Sequence, residues 1–365
     1  MTSIMPSLRI PRNRAEPVTA FVLSGGASLG AIQAGMLRAL YERQIFPDML
    51  VATSAGSLNA GFIATRPPAI ETVDELYEVW RGLRREHVFP ISARTVLAGL
   101  ASHRDHLVPD RGVRDLIRRH LQVTELAEMA VPLHLIAFDL LTGTEIRLSS
   151  GPALDAILAS CAIPSVLPPV WIDGALLVDG GVVNGTPISH AAELGADRIY
   201  VLATDDPASR GLSRPPRGAL DAAVHAFRLL ANARLRADIE RYRSELDLIV
   251  LPAANPSGVQ PTDFTHAQEL LDAAYQAVSK MLHDERYLRS RGAHDASSIN
   301  DDRTDARWLG RLSERWSPAR TLPRNRGTVA SGALSDEPDR PLELSSAPVR
   351  VVESDALSDR SHPPG

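Results

Sequence analysis

Strand, glycine turn and helix follow one another twice near the start of this chain, and that alternation limits the fold more than any other feature. Val18–Leu23 is an apolar run closed by Ser24-Gly25-Gly26, the pattern of a buried strand ending in a tight turn. Leu29, Ile32, Met36, Leu37 and Leu40 then recur at three-to-four spacing, the apolar stripe of a helix that reaches about Arg43. Met49–Thr53 repeats the short apolar run, followed by Ser54-Ala55-Gly56 and a second helix through Leu58, Gly61 and Phe62. Two such units in succession predict an α/β fold with a mostly parallel central sheet flanked by helices.

The rest of the chain extends this plan. Val73, Leu76, Trp80 and Leu83 form one face of a helix over Glu71–Leu83, whereas Arg84–Arg111 is less regular. Val131–Phe138 and Glu145–Leu148 flank Leu141-Thr-Gly143 as a hairpin. Asp197–Ala203 and Asp247–Leu251 read as two further buried strands, the first behind a helix that stops at Gly195. Ala219–Leu246 and Thr265–Leu282 read as long helices. Beyond Arg289 the apolar periodicity gives way to Ser, Asp, Arg and Pro, so 290–365 is expected to be a disordered tail with one short docking helix at Trp308–Trp316. Residues 1–17 are expected to form a flexible leader, which leaves 18–289 as the expected folded domain.

Composition narrows the function classes. A net charge of -5 gives no bulk electrostatic reason to bind nucleic acid. The single cysteine, Cys161, cannot form an internal disulfide, and no Cys/His cluster has zinc-site spacing, so no metal is expected. The chain shows neither an apolar signal-peptide core nor a run of about 18 apolar residues, so a cytoplasmic protein is expected.

Two turns and one strand end carry the chemistry. Ala52-Thr53-Ser54-Ala55-Gly56 places a serine at the apex of a strand-to-helix turn, where a strained elbow lifts the hydroxyl clear of the sheet and the helix N-terminus faces developing negative charge. The same serine could instead serve as an ordinary helix cap. Ser24–Gly30 is a glycine-rich loop whose amides can converge on an anion. Ala27 breaks the dinucleotide-binding glycine spacing and no Gly-Lys-Ser/Thr follows, while an oxyanion hole needs only backbone donors. No histidine declares itself as the base: His190, His225 and His266 read as surface or helix-face residues. Of the two aspartates in Trp171–Gly181, Asp173 precedes Gly174 in a two-residue hairpin turn. Asp179 ends a strand before Gly180-Gly181 and is the favoured partner.

Taken together, Ser24–Gly30, Ala52–Gly56 and Asp179–Gly181 resemble, in order, the oxyanion loop, elbow and Asp-Gly-Gly element of the patatin-like phospholipase family. Gln33-Ala-Gly35, Ser57-Leu-Asn59, Cys161-Ala-Ile-Pro164 and Val182–Pro187 extend the likeness over roughly 18–285. The resemblance implies a three-layer patatin-like fold and a hydrolase with a Ser-Asp dyad, which explains the missing histidine, and it implies no cofactor. It implies that Ser54 attacks an ester carbonyl, Asp179 takes the proton, and the amides of Gly25, Gly26, Ala27 and Ala55 hold the oxyanion. Gly30, Gly56, Gly180 and Gly181 are its motif glycines. Ala52, Ala27 and Leu29 depart from the family pattern without removing a backbone N–H. The implied partner is a lipid or other ester, met through transient contact with a membrane surface. The alternatives are acyl transfer from the same acyl-enzyme, and an inactive lipid-binding protein.

Overall fold

In the computed structural model, which describes residues 17–90, 106–208, 215 and 219–295, side chains of the first strand, β1 (Thr19–Leu23), alternate between two hydrophobic clusters. Phe21 and Leu23 enter one and Ala20 and Val22 the other. Burial on both faces is what a parallel strand covered by helices requires. A 3-10 turn at Ala27–Leu29 leads into α1 (Gly30–Tyr41), followed by β2 (Met49–Thr53), α2 (Ala55–Ala64), α3 (Ile70–Gly82), α4 (Arg85–Val88) and α5 (Arg111–His120). Then come β3 (Leu133–Asp139), β4 (Thr144–Leu148), α6 (Ala153–Ser160), β5 (Val170–Ile172), β6 (Ala175–Asp179) and α7 (Gly181–Asn184). The remaining elements are α8 (Ile188–Glu193), β7 (Arg198–Leu202), α9 (Ala219–Tyr242), β8 (Asp247–Val250) and α10 (Ala267–Asp295).

The hydrogen-bonded path through the eight-stranded sheet runs β5-β6-β3-β2-β1-β7-β8, with β4 also paired to β3. Strands β3, β2, β1, β7 and β8 are parallel, whereas β4 and β6 run antiparallel to β3 and β5 antiparallel to β6. The sheet is therefore mixed, with parallel strands at its centre, and helices cover both faces. One face packs on α1, α2, α3 and α10, where Ile32, Met36, Leu37, Leu76 and Leu271 are buried. The other packs on α8 and α9 through Ile188, Ala191 and Leu235.

Besides the four-residue α4 and α7, two longer helices are not legible in the sequence. Only Val113 and Ile117 of α5 are buried among charged neighbours, and α6 is eight residues of nearly continuous apolarity, too short to display a 3.6-residue period. At the other end, α10 continues six residues past Arg289, to Asp295; the leader 1–16 and the segment 296–365, with Trp308–Trp316, lie outside the described residues. In the irregular Arg84–Arg111 segment, Phe89 packs against the first cluster with its ring 6.3 Å from that of Phe264. It is a packing residue, and Val96, Leu97 and Leu100 lie outside the described residues. Among the described residues no helix is long and apolar enough to cross a membrane.

Candidate active site

Strand register brings the first two site residues together. Thr53 at the end of β2 pairs with Ile136 of β3, and Asp179 at the end of β6 pairs with the next residue, Ala137. Because β4 pairs with β3 over Leu135–Asp139, it occupies the opposite edge, so β2 and β6 share one edge and meet end to end. Ser54 follows Thr53 and faces Asp179. Its backbone has φ +57° and ψ -127°, a left-handed conformation costing of order 1–3 kcal/mol for a residue with a side chain and the geometry of a nucleophile elbow. Gly56 makes this turn possible, since a Cβ there would stand 2.4 Å from the Leu23 carbonyl oxygen. Asp173 and Gly174, with φ +49° and +83°, form the turn between β5 and β6, as the sequence predicts.

The Asp179 carboxyl is buried at 2 % exposure. Burial pushes its pKa up from 3.8 to about 6, while the Ser54 hydroxyl, within hydrogen-bonding reach, and the Gly181 N–H, 2.8 Å from Oδ1, pull it partly back. No histidine is among these groups. His190 instead bonds Glu145 and the exposed His266 bonds Asp263, while His225 is a buried residue of α9. A base must be ionised to accept a proton. If Asp179 is that base, kcat/KM on a soluble ester rises with pH through about 6, which a pH–rate profile measures. A profile flat between pH 4.5 and about 8 contradicts the assignment.

The glycine loop lies against Ser54: a Cβ on Gly25 would sit 3.1 Å from Ser54 Cβ. Gly25 itself does not fit the donor role expected of it, because its N–H already donates to the Gly185 carbonyl at 2.9 Å. No described acceptor is bonded to the N–H of Gly26 or Ala27, and Ala27 holds φ +50°. Thr204 Oγ1 donates to the Gly25 carbonyl at 2.5 Å. A buried relay fixes the loop to the elbow helix. Trp80 Nε1 donates to Asn59 Oδ1 (2.9 Å), and Asn59 Nδ2 donates to Gln33 Oε1 (2.8 Å) and to the Gly30 carbonyl (2.9 Å). Gln33 Nε2 in turn donates to the Ser24 and Leu202 carbonyls at 2.7 and 2.9 Å. Gln33 and Asn59 lie in segments that carry the family likeness without a role of their own in the sequence; polar amides inside apolar helical stretches are the signal that marks them.

The fold and this arrangement define an α/β protein with a strained elbow serine set beside a buried carboxylate. Residues 21–192 match the family model described as patatin-like phospholipase. An uncharacterized NTE family protein of Mycobacterium tuberculosis is 27% identical over 191 residues, 52% of this chain and 50% of its own length. Lysophospholipase NTE1 of Mycosarcoma maydis is 28% identical over 188 residues, 50% of this chain and 9% of that protein. The chain thus spans about half the length of the mycobacterial relative. Among solved structures, human GIVD cytosolic phospholipase A2 in complex with a fluorophosphonate is similar with a TM-score of 0.41 and 11% identity, covering 73% of this chain and 58% of the other.

Proposed function

We propose that this protein is a serine acyl hydrolase of lipid carboxylic esters. The observation that carries the reading is Ser54, held at φ +57° beside a carboxylate whose proton affinity burial has raised toward neutrality. An unshifted aspartate would be too weak a base for a serine hydroxyl. Ser54 Oγ attacks the ester carbonyl carbon and its proton passes to Asp179. The N–H groups of Gly26, Ala27 and Ala55 receive the oxyanion, which collapses as the alcohol leaves with the proton from Asp179. Water, deprotonated by Asp179, then releases the acid and returns the proton to Ser54. Turnover of a short-chain nitrophenyl ester by the wild type and its loss in Ser54→Ala tests this, and an unaffected variant refutes it. Formation of a new ester when an alcohol is added would reassign the protein to acyl transfer.

Contact with a lipid surface belongs to the same reading. Trp171, Leu140 and Leu141 are 63 %, 48 % and 61 % exposed and are neighbours, since Trp171 pairs with Leu176, whose carbonyl accepts from Leu140 N–H. They stand beyond the end of β3 past Ser54. Trp171→Ser with Leu141→Ser should lower turnover of vesicle lipid by roughly tenfold or more, because each apolar side chain kept out of the interface forfeits ~1.5–3 kcal/mol. Hydrolysis of soluble esters should not change; equal loss on both substrates would show that these side chains serve the fold or the site itself and not a lipid surface.

A further inference from the structure

Three consecutive residues at the end of α6 bond to both Ser54 and Asp179. Ser160 Oγ accepts from the Ser54 N–H at 3.1 Å, Cys161 Sγ donates to the Ser54 carbonyl at 3.1 Å, and the Ala162 carbonyl accepts from the Asp179 N–H at 2.9 Å. Ser160 has no freedom in this. Its own proton goes to the Ile136 carbonyl at 2.7 Å, so the Ser57 hydroxyl at 2.8 Å is a donor to it and the remaining lone pair faces Ser54. Ser160 is wholly buried, and burial with the Asp179 charge raises the Cys161 pKa well above its ordinary value, so the thiol stays protonated as a donor.

We infer that Ser160 and Cys161 are positioning residues that fix the backbone of Ser54 in its reactive conformation. The argument is geometric. The Ser54 N–H belongs to the peptide plane before Ser54 and its carbonyl to the plane after it, and holding two rigid planes fixes the φ and ψ between them. In a trans peptide C=O and N–H point opposite ways, so anchoring the Ser54 carbonyl, which also accepts from Ser57 N–H at 2.7 Å, sets the aim of the Ala55 N–H. That donor is one of those proposed for the oxyanion, and to this extent the inference rests on the function proposed above.

The test measures kcat and KM on a soluble ester, the rate of Ser54 labelling by an alkyl fluorophosphonate, and thermal stability. In labelling, Ser54 Oγ forms a bond to phosphorus as fluoride leaves, and its proton passes to Asp179, so the readout needs no hydrolysis. Ser160→Ala should lower kcat and labelling by about 10- to 100-fold with KM little changed, the scale of a small misplacement of a reacting atom. Ser57→Ala, which removes the other donor to Ser160 but leaves its bond to Ser54, should cost stability with both rates near wild type. Cys161→Ala should slow both rates several-fold and Cys161→Ser should restore them. Rates in Ser160→Ala within about twofold of wild type, or an equal loss in Ser57→Ala, overturn the inference. If Ser160→Ala does not fold, equal rates in the two Cys161 variants overturn it. A wild type that labels without hydrolysing esters refutes the proposed function alone, whereas a folded wild type that does neither refutes both.

Discussion

Ser54→Ala and Asp179→Asn should each remove nearly all ester hydrolysis, by about 10³- to 10⁶-fold in kcat, and the double variant should be little worse than either single. In the proposed mechanism the two act in one proton transfer, so once either is lost the other has nothing left to do. Additive losses in a kinetic cycle would show that they work separately, and full activity in Asp179→Asn with loss in Asp173→Asn would move the role to the hairpin turn. The aspartate variant carries a second expectation. A folded pKa raised from 3.8 to about 6 means that the native state binds this proton more tightly than the unfolded chain. The stabilising contribution is complete below pH about 3.8 and is lost as pH rises through about 6. At pH 8 the ionised carboxylate therefore costs ~3 kcal/mol, two pKa units at ~1.4 each. Asp179→Asn, inactive, should melt higher than wild type at pH 8, and the gain should shrink toward pH 4.

Gly26→Pro should produce the next largest loss, about 10²- to 10³-fold in kcat with KM much less affected, the usual effect of removing one oxyanion donor. Proline deletes the N–H and demands φ near -65°, whereas Gly26 holds φ 166°. Gly26→Ala keeps the donor but would bring a methyl to 2.4 Å from Thr204 Oγ1, so the loop must shift and kcat should fall in the same direction. Steady-state kinetics with a melting curve for each variant separates displacement of the donor from unfolding. Unchanged kcat in folded Gly26→Pro would exclude this N–H from the oxyanion site.

What the sequence disclosed and what it concealed divide along local and distant interactions. The runs at Val18–Leu23 and Met49–Thr53 and the stripe from Leu29 to Leu40 are local patterns, and β1, β2 and α1 stand where those patterns put them. The turn at Asp173-Gly174 was equally legible, because its two residues alone favour positive φ. Gly25 shows the opposite case. Its N–H is taken by the Gly185 carbonyl, far along the chain, and no property of the Ser24–Gly30 segment announces that partner. The helix over Ala153–Ser160 stayed hidden because its burial is almost uniform, and with it went Ser160, an unremarkable serine until folding sets it against the Ser54 amide.

The end-to-end meeting of β2 and β6 along β3 also determines where the chain can change length. Side chains in a strand alternate between faces, so one residue inserted between Leu177 and Asp179 would turn the carboxylate toward the opposite face of the sheet. A residue added at Gly143 or Gly174, both at positive φ with open space around them, would lengthen a turn and leave the pairing of Asp179 with Ala137 intact. The distance between two groups 125 positions apart is thus kept by the ladder of a third strand, and the long excursion between them is free to drift in length at its turns while the pair stays in step.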